Sequence, residues 1–232
     1  MKHLKCLQLP ETIPIGVDVW LLEFDFDSNQ LAVDWALLSA EEKARALRFR
    51  QLRDRVRFIA TRAALRRLLA ECVMAPPQTL RIETNSFGKP CLPANSGIEF
   101  NVSHADNFAL IALSTHGEVG VDIEQCHRDV ANLEAHVLSS VERAWRIWSS
   151  KNFIELWVVK ESVLKALGFG IAEYLPAITV LPKHDGSYCI THDQTEWAEV
   201  NAWSISAPIH YAAALALTHK SQSLAKRQPF LS

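Results

Sequence analysis

No stretch of this 232-residue chain approaches the run of roughly 20 apolar residues that a membrane-spanning helix requires. Met1 to Pro10 carries basic residues but no continuous apolar core, so the sequence predicts no secretory signal, a cytoplasmic location and no membrane partner. Cys-x-x-Cys pairs are missing too. The five cysteines (Cys6, Cys72, Cys91, Cys126, Cys189) are odd in number and scattered, which disfavours a zinc site of the usual spacing and predicts reduced, structural thiols. An overall excess of basic charge is also absent: the net charge is -2, which argues against a nucleic-acid partner. The charge is nevertheless uneven, because residues 41–70 hold ten Lys/Arg against three Asp/Glu. A basic segment in a mildly acidic protein suits a small anionic ligand.

What is present is an ordinary globular composition, 49% hydrophobic and 22% charged, in a chain long enough for one large domain or two small ones. Val17 to Phe24 reads as a first strand, and Ser39 followed by Glu42 has the form of a capping box opening a helix. Neither Gly nor Pro occurs from there to Met74, so continuous helix is predicted up to the Pro76-Pro77 stop. Phe58, Leu65, Leu68, Leu69 and Cys72 share its core face, with Arg55, Arg62 and Arg66 on another, and the plain reading of those arginines is a solvated face. Short strands are predicted at 80–83, 98–103 and 108–114, with a turn over Ser86 to Pro90. Strand 119–124 then opens a second half of similar grammar. It has helices near 130–150 and 152–167, a stop at Gly168 and Gly170, and strands near 177–181, 187–191, 197–204 and 210–217. A loose tail is predicted over 220–232. The pattern predicts a pseudo-duplicated α+β fold of two subdomains, 1–116 and 117–232. No linker-like composition separates them at 115–118, so they should pack closely.

Two acidic stretches organise this plan. In Val119-Gly120-Val121-Asp122-Ile123-Glu124 the apolar residues alternate, so both carboxylates leave a half-buried strand on its non-core face. In the helix from 152, Leu156, Val159, Val163 and Leu167 mark one face, and Trp157, Glu161 and Lys165 mark the other. Two carboxylates from a strand and a third from a helix, with a lysine one turn on, suit a hard divalent cation beside a phosphate. Each piece alone is weak: Asp-x-Glu also marks a solvated strand edge, and Glu161 with Lys165 could be a surface ion pair.

Five blocks in order resemble the 4′-phosphopantetheinyl transferase superfamily, of the type that activates surfactin synthetase. They are Phe87-Gly88-Lys89-Pro90, Phe100-Asn101-Val102-Ser103-His104, Gly120-Val121-Asp122-Ile123-Glu124, Trp157-x-x-Lys160-Glu161-Ser162, and Lys165. The resemblance covers roughly residues 15–217 and includes the arginine-bearing helix before the first block. It implies that family's fold, with an active site in the cleft between the halves. It also implies transfer of the 4′-phosphopantetheine arm of coenzyme A to a serine of an apo acyl or peptidyl carrier protein, releasing adenosine 3′,5′-bisphosphate. Asp122, Glu124 and Glu161 are then implied as Mg²⁺ ligands. Glu161 or a metal-bound water takes the serine proton, and Lys165 steadies the leaving phosphate. Ser103 and His104 would meet the coenzyme phosphates, Lys89 the nucleotide end, and Arg45 and Arg57 the 3′-phosphate region. Lys160 would contact phosphate or orient the neighbouring carboxylate, and Trp157 is a packing anchor.

The sequence departs from that pattern at Glu42, where relatives often carry lysine, with Lys43 beside it, and at Val158. The resemblance places carrier docking on Gln125 to Leu138. Both halves of the cleft lie in one chain, which implies a monomer. The same residues leave open a metal-dependent nucleotide phosphodiester hydrolase and a non-catalytic coenzyme A binder.

Overall fold

A strand, a run of helices and a returning antiparallel pair occur twice along the chain. A computed structural model describes residues 3–26, 31–85, 88–93, 96–130, 133–149, 152–169 and 174–218. Ser86, Phe87, Gly170 and the predicted tail lie outside the described residues. The first half comprises β1 (Leu4–Cys6), β2 (Val17–Glu23), α1 (Leu31–Leu37), α2 (Ala40–Ala46), α3 (Leu52–Val73), β3 (Glu83–Thr84), β4 (Pro90–Cys91), β5 (Glu99–Ala105) and β6 (Phe108–Ser114). The second comprises β7 (Val119–Gln125), α4 (Glu134–Val137), α5 (Ser140–Arg146), α6 (Phe153–Leu167), β8 (Ile178–Pro182), β9 (Tyr188–His192), β10 (Val200–Ser204) and β11 (Tyr211–Thr218).

Two antiparallel sheets carry the fold, in the orders β1-β2-β6-β5 and β10-β11-β7. Read from the strand that opens each half, β2-β6-β5 recurs as β7-β11-β10, so the chain is a pseudo-duplicated α+β protein. The helices repeat as well. Ser39 and Ser139 each cap a seven-residue helix with a full capping box, closed by Glu42 and Glu142. In each half that glutamate also holds a buried cation: Glu42 takes Arg66 at 2.7 Å, and Glu142 takes Lys160 at 2.5 Å.

The core is layered helix, sheet, sheet, helix. Leu65, Leu68 and Leu69 of α3 pack on Leu22, Phe100 and Ile111 of the first sheet. Val19 and Leu110 on its other face meet Val121, Ile123 and Leu215 of the second. Beyond that sheet, Leu156, Val159 and Val163 of α6 cover Ala214 and Ala216. At the seam the two edge strands, β5 and β7, run side by side without a backbone ladder. Asn101 Oδ1 instead accepts the Val121 N–H at 3.1 Å, satisfying an edge donor by side chain.

The predicted single helix from Ser39 to Met74 is two, broken at residues 47–51. The break folds Phe49 back onto Phe58, with ring centroids 5.5 Å apart, and Arg55 Nη2 donates to the Phe49 carbonyl at 3.1 Å. These tertiary contacts outweigh an uninterrupted helical propensity. Of the predicted core face, Phe58 is only half-buried and Cys72 is exposed. Arg66 is not solvated at all: it is 1% exposed and donates to Glu42 and to the Pro77 and Leu80 carbonyls. The predicted helix over 130–150 is likewise two short ones, α4 and α5. The cysteines are free, and Cys6, Cys72 and Cys189 are exposed rather than built into the core. Among the described residues no helix is long and apolar enough to cross a membrane.

Candidate active site

Gly120 fixes how closely the chemistry-bearing elements approach. A Cβ there would lie 1.9 Å from the Ser162 carbonyl oxygen and 2.5 Å from the Ala166 nitrogen, so α6 rests directly on β7 because residue 120 has no side chain. The alternation predicted for β7 holds, with Val119, Val121 and Ile123 facing the layer between the sheets. Its other face is not free, since α6 covers it. Asp122 is therefore 4% exposed and Glu161 6%, and α6 is buried nearly all round rather than on one stripe.

Under that helix Lys165 Nζ donates to Asp122 Oδ1 at 2.6 Å, to Ser103 Oγ at 3.2 Å and to the Val121 carbonyl at 3.3 Å. Ser103 Oγ donates to the same Asp122 oxygen at 2.6 Å, so the first half reaches the acidic strand through a hydroxyl. Asp122 Oδ2 is buried and has no hydrogen-bond partner. Burial and then the Asp122 charge push the Glu161 carboxyl up to about 7, with Lys165 opposing and Glu124 adding to the rise. Burial, followed by Asp122, also raises the Glu124 carboxyl, although Arg128 Nη1 donates to its Oε1 at 2.5 Å. Arg128 also lies over the Trp157 ring, 5.6 Å from its centroid. The three carboxylates are thus electrostatic neighbours, but among the described residues no three metal-binding side chains converge into a closed cluster.

Strand alternation in β5 sends Asn101 and Ser103 toward β7, while Val102 and His104 line a cavity of about 440 Å³ against α3. Arg45, Arg57, Gly88 and Pro90 share its walls. Burial, then Lys165 and Arg57, lowers the His104 pKa, which favours the neutral imidazole. Arg57 makes three hydrogen bonds within the protein, donating to Asp54 at 2.7 Å and to Asp106 through its carboxylate at 3.1 Å and its carbonyl at 2.7 Å. Lys89 reaches across the seam, where Nζ donates to Glu118 Oε2 at 2.6 Å and to the Val119 carbonyl at 3.1 Å.

Lys160 is a correction. Its side chain is wholly buried and points away from Glu161 into the core, onto Glu142 Oε2, so it reaches neither a phosphate nor the Glu161 carboxylate. Glu142 also accepts the Ser139 and Val180 backbone N–H groups, which makes this a satisfied internal pair. Glu42, the expected departure from lysine, is likewise committed, to Arg66 and to the Ser39 N–H. Sequence reasoning does not single out Asn101 or Arg128. Neither carries a signal of its own, because each acts through a strand neighbour or an aromatic ring that only the fold supplies.

Two family models match in tandem: 4′-phosphopantetheinyl transferase, N-terminal, over residues 25–116, and 4′-phosphopantetheinyl transferase superfamily over 118–216. The transferase HetI of Nostoc sp. is 35% identical over 168 residues, covering 68% of this chain and 70% of its own. The chain belongs to the 4′-phosphopantetheinyl transferase superfamily. A Synechocystis protein is 40% identical over 149 residues, 59% of each chain, so the match spans about three fifths of that relative. Sfp of Bacillus subtilis is 25% identical over 160 residues, 67% of this chain and 71% of its own. For a superfamily member the question at β7 and α6 is whether these groups suit a divalent cation. They do: the donors are all carboxylate oxygens, the choice of a hard cation, and Asp122 Oδ2 is a buried acceptor with nothing to accept from.

Proposed function

We propose that the protein transfers the 4′-phosphopantetheine arm of coenzyme A to a serine of an apo acyl or peptidyl carrier protein, with Mg²⁺, releasing adenosine 3′,5′-bisphosphate. The observation that carries this reading is the pair of buried carboxylates Asp122 and Glu161, with the half-buried Glu124 as their electrostatic neighbour and Asp122 Oδ2 an unpartnered acceptor, beside Lys165, in a chain of this superfamily. Asp122, Glu124 and Glu161 would hold Mg²⁺, which when bound supplies charge neutralisation on the pyrophosphate.

The chain's own residues supply the rest. The carrier serine Oγ forms a bond to the phosphorus bearing the pantetheine arm. The bond from that phosphorus to the bridging oxygen breaks, and adenosine 3′,5′-bisphosphate departs with the electron pair. Glu161 accepts the serine proton, a task suited to a carboxyl held near neutrality. Lys165 is a point charge for the departing phosphate, and Ser103 and His104 address the other phosphate oxygens. Positioning and charge neutralisation carry most of the catalysis in such a transfer. Arg45 and Arg57 sit in the cavity wall that would take the nucleotide. Subdomains 1–116 and 117–232 would thus grip the nucleotide and do the chemistry respectively, within a cytoplasmic monomer.

The carrier docks on the surface of 125–138. Arg146 of α5 pairs with Glu134 of α4 at 2.6 Å, and the turn after α5 presents Ile147 and Trp148, 74% and 89% exposed, beside it. The test is incubation with coenzyme A, Mg²⁺ and a panel of apo carriers, read by intact mass. A carrier gaining the phosphopantetheine arm is expected, with the gain abolished in Asp122→Ala and Glu161→Ala. Full transfer by those variants refutes the site, and coenzyme A cleaved by water without a carrier refutes the transfer in favour of hydrolysis.

A further inference from the structure

Each of the two carboxylates on β7 has one oxygen held by a cation of the protein itself. Asp122 Oδ1 takes Lys165 Nζ at 2.6 Å, and Glu124 Oε1 takes Arg128 Nη1 at 2.5 Å. Lys165 is carried by a long helix, whereas Arg128 comes from the loop after β7. That loop is fixed all the same. The Arg128 N–H donates to the Gln125 carbonyl at 3.1 Å, closing a turn that returns residue 128 toward residue 124. Both polar backbone groups of Cys126 are tied as well, its N–H to the His210 carbonyl at 2.8 Å and its carbonyl to Nδ2 of Asn152, the residue that caps α6, at 3.1 Å. The guanidinium lies over the Trp157 ring, and Phe153 meets that ring edge-on with centroids 5.8 Å apart.

An i,i+4 ion pair whose arginine side chain is 45% exposed contributes little to stability. Stability therefore does not account for so many constraints on one side chain. What the side chain holds, however, is a candidate metal ligand. Carboxylates that bind metals are commonly oriented by a hydrogen bond to one oxygen, and losing that outer partner costs roughly 10- to 100-fold in metal affinity. Repulsion between the guanidinium and an arriving dication opposes this. Solvent screens a charge this exposed, so orientation outweighs repulsion.

We propose that Arg128 is a positioning residue of the metal site, pinning Glu124 by Oε1 and leaving its second oxygen to a divalent cation shared with Asp122 and Glu161. Trp157 is then the platform that steadies Arg128, a use for the indole beyond packing. This inference rests on the Mg²⁺ reading of the three carboxylates.

The test is Mn²⁺ binding by the full chain without nucleotide, read from the electron paramagnetic resonance signal of the free ion. Arg128→Met should weaken Mn²⁺ binding roughly 10- to 100-fold. Arg128→Lys, which keeps the charge but not the planar fork, should recover part of that loss. Both should melt at the wild-type temperature without metal. In carrier labelling, Arg128→Met should raise the KM for Mg²⁺ and retain kcat at saturating Mg²⁺. Binding by Arg128→Met as tight as that of wild type, or tighter as repulsion alone would give, overturns the assignment. So does a melting temperature that falls in step with the affinity, or a wild type that binds no Mn²⁺, since a pinned ligand set forms before substrate arrives. Asp122→Ala separates this inference from the reading beneath it. If it abolishes Mn²⁺ binding while Arg128→Met changes nothing, only the role of Arg128 is lost. If it binds Mn²⁺ as wild type does, the metal site itself is misplaced and the inference falls with it.

Discussion

Glu161 stores a measurable amount of pH-dependent instability. Its carboxyl is held at about 7 against an ordinary 4.5, chiefly because α6 lies on β7 and removes water, and then because of the Asp122 charge beside it. A raised folded-state pKa means that the folded protein binds the proton more tightly than the unfolded chain. The stability this confers is full below about pH 4.5 and is lost as pH rises through about 7. At about 1.36 kcal/mol per pH unit, the loss between pH 5 and pH 8 is about 2.5 kcal/mol. Glutamine keeps the shape and cannot ionise. Urea unfolding of chelator-treated wild type and Glu161→Gln at both pH values isolates the group together with its coupling to Asp122 and Glu124, because titration remote from them cancels in the difference. Glu161→Gln should gain about 2.5 kcal/mol on wild type between pH 5 and 8. Millimolar Mg²⁺ at pH 8 should narrow that gap by stabilising wild type alone. Parallel pH dependences for the two proteins would refute the reasoning outright.

Lys160→Met should cost about 3–5 kcal/mol in chemical denaturation, since it strands Glu142 in the core, while the KM for coenzyme A stays unchanged. A raised KM with intact stability would return Lys160 to the phosphate site. Gly120→Ala should cost about 4 kcal/mol or more, because backbone atoms of α6 occupy the space of the new methyl; a soluble variant with a wild-type melting temperature contradicts the close approach. Trp148→Ala should lower kcat/KM for the carrier by roughly fivefold, with the KM for coenzyme A unaltered, as expected of an exposed docking anchor. Equal activity on every carrier tested removes the turn after α5 from the docking surface.

Local rules read the second half well. Alternation in 119–124 and the Gly168 stop, which adopts φ 79°, are decided within a few residues, and so is the capping box at Ser39 in the first half. Where a partner lies far along the chain, those rules fail. Lys160 escapes them because its counter-charge, Glu142, is 18 residues away on another helix, and Arg66 because Glu42 is 24 away. The break after α2 is set by Phe49 on Phe58, a contact that no propensity contains. The cavity could be anticipated as a basic region, but not which of its arginines the protein itself ties down. Arg57 and Arg62 look alike in sequence until Asp106 claims the first.

The seam between β5 and β7 bears on how the gene can be cut. Severing the chain between residues 116 and 117 would leave the second fragment with Asp122, Glu124, Glu161 and Lys165, but without Ser103 to donate to Asp122 or Asn101 to accept from Val121. Its β7 would present a bare edge, prone to pairing with copies of itself. The two fragments are therefore natural partners for split-protein complementation, each masking the other's exposed strand. Recovery of transfer on mixing them would report the joining of the halves directly.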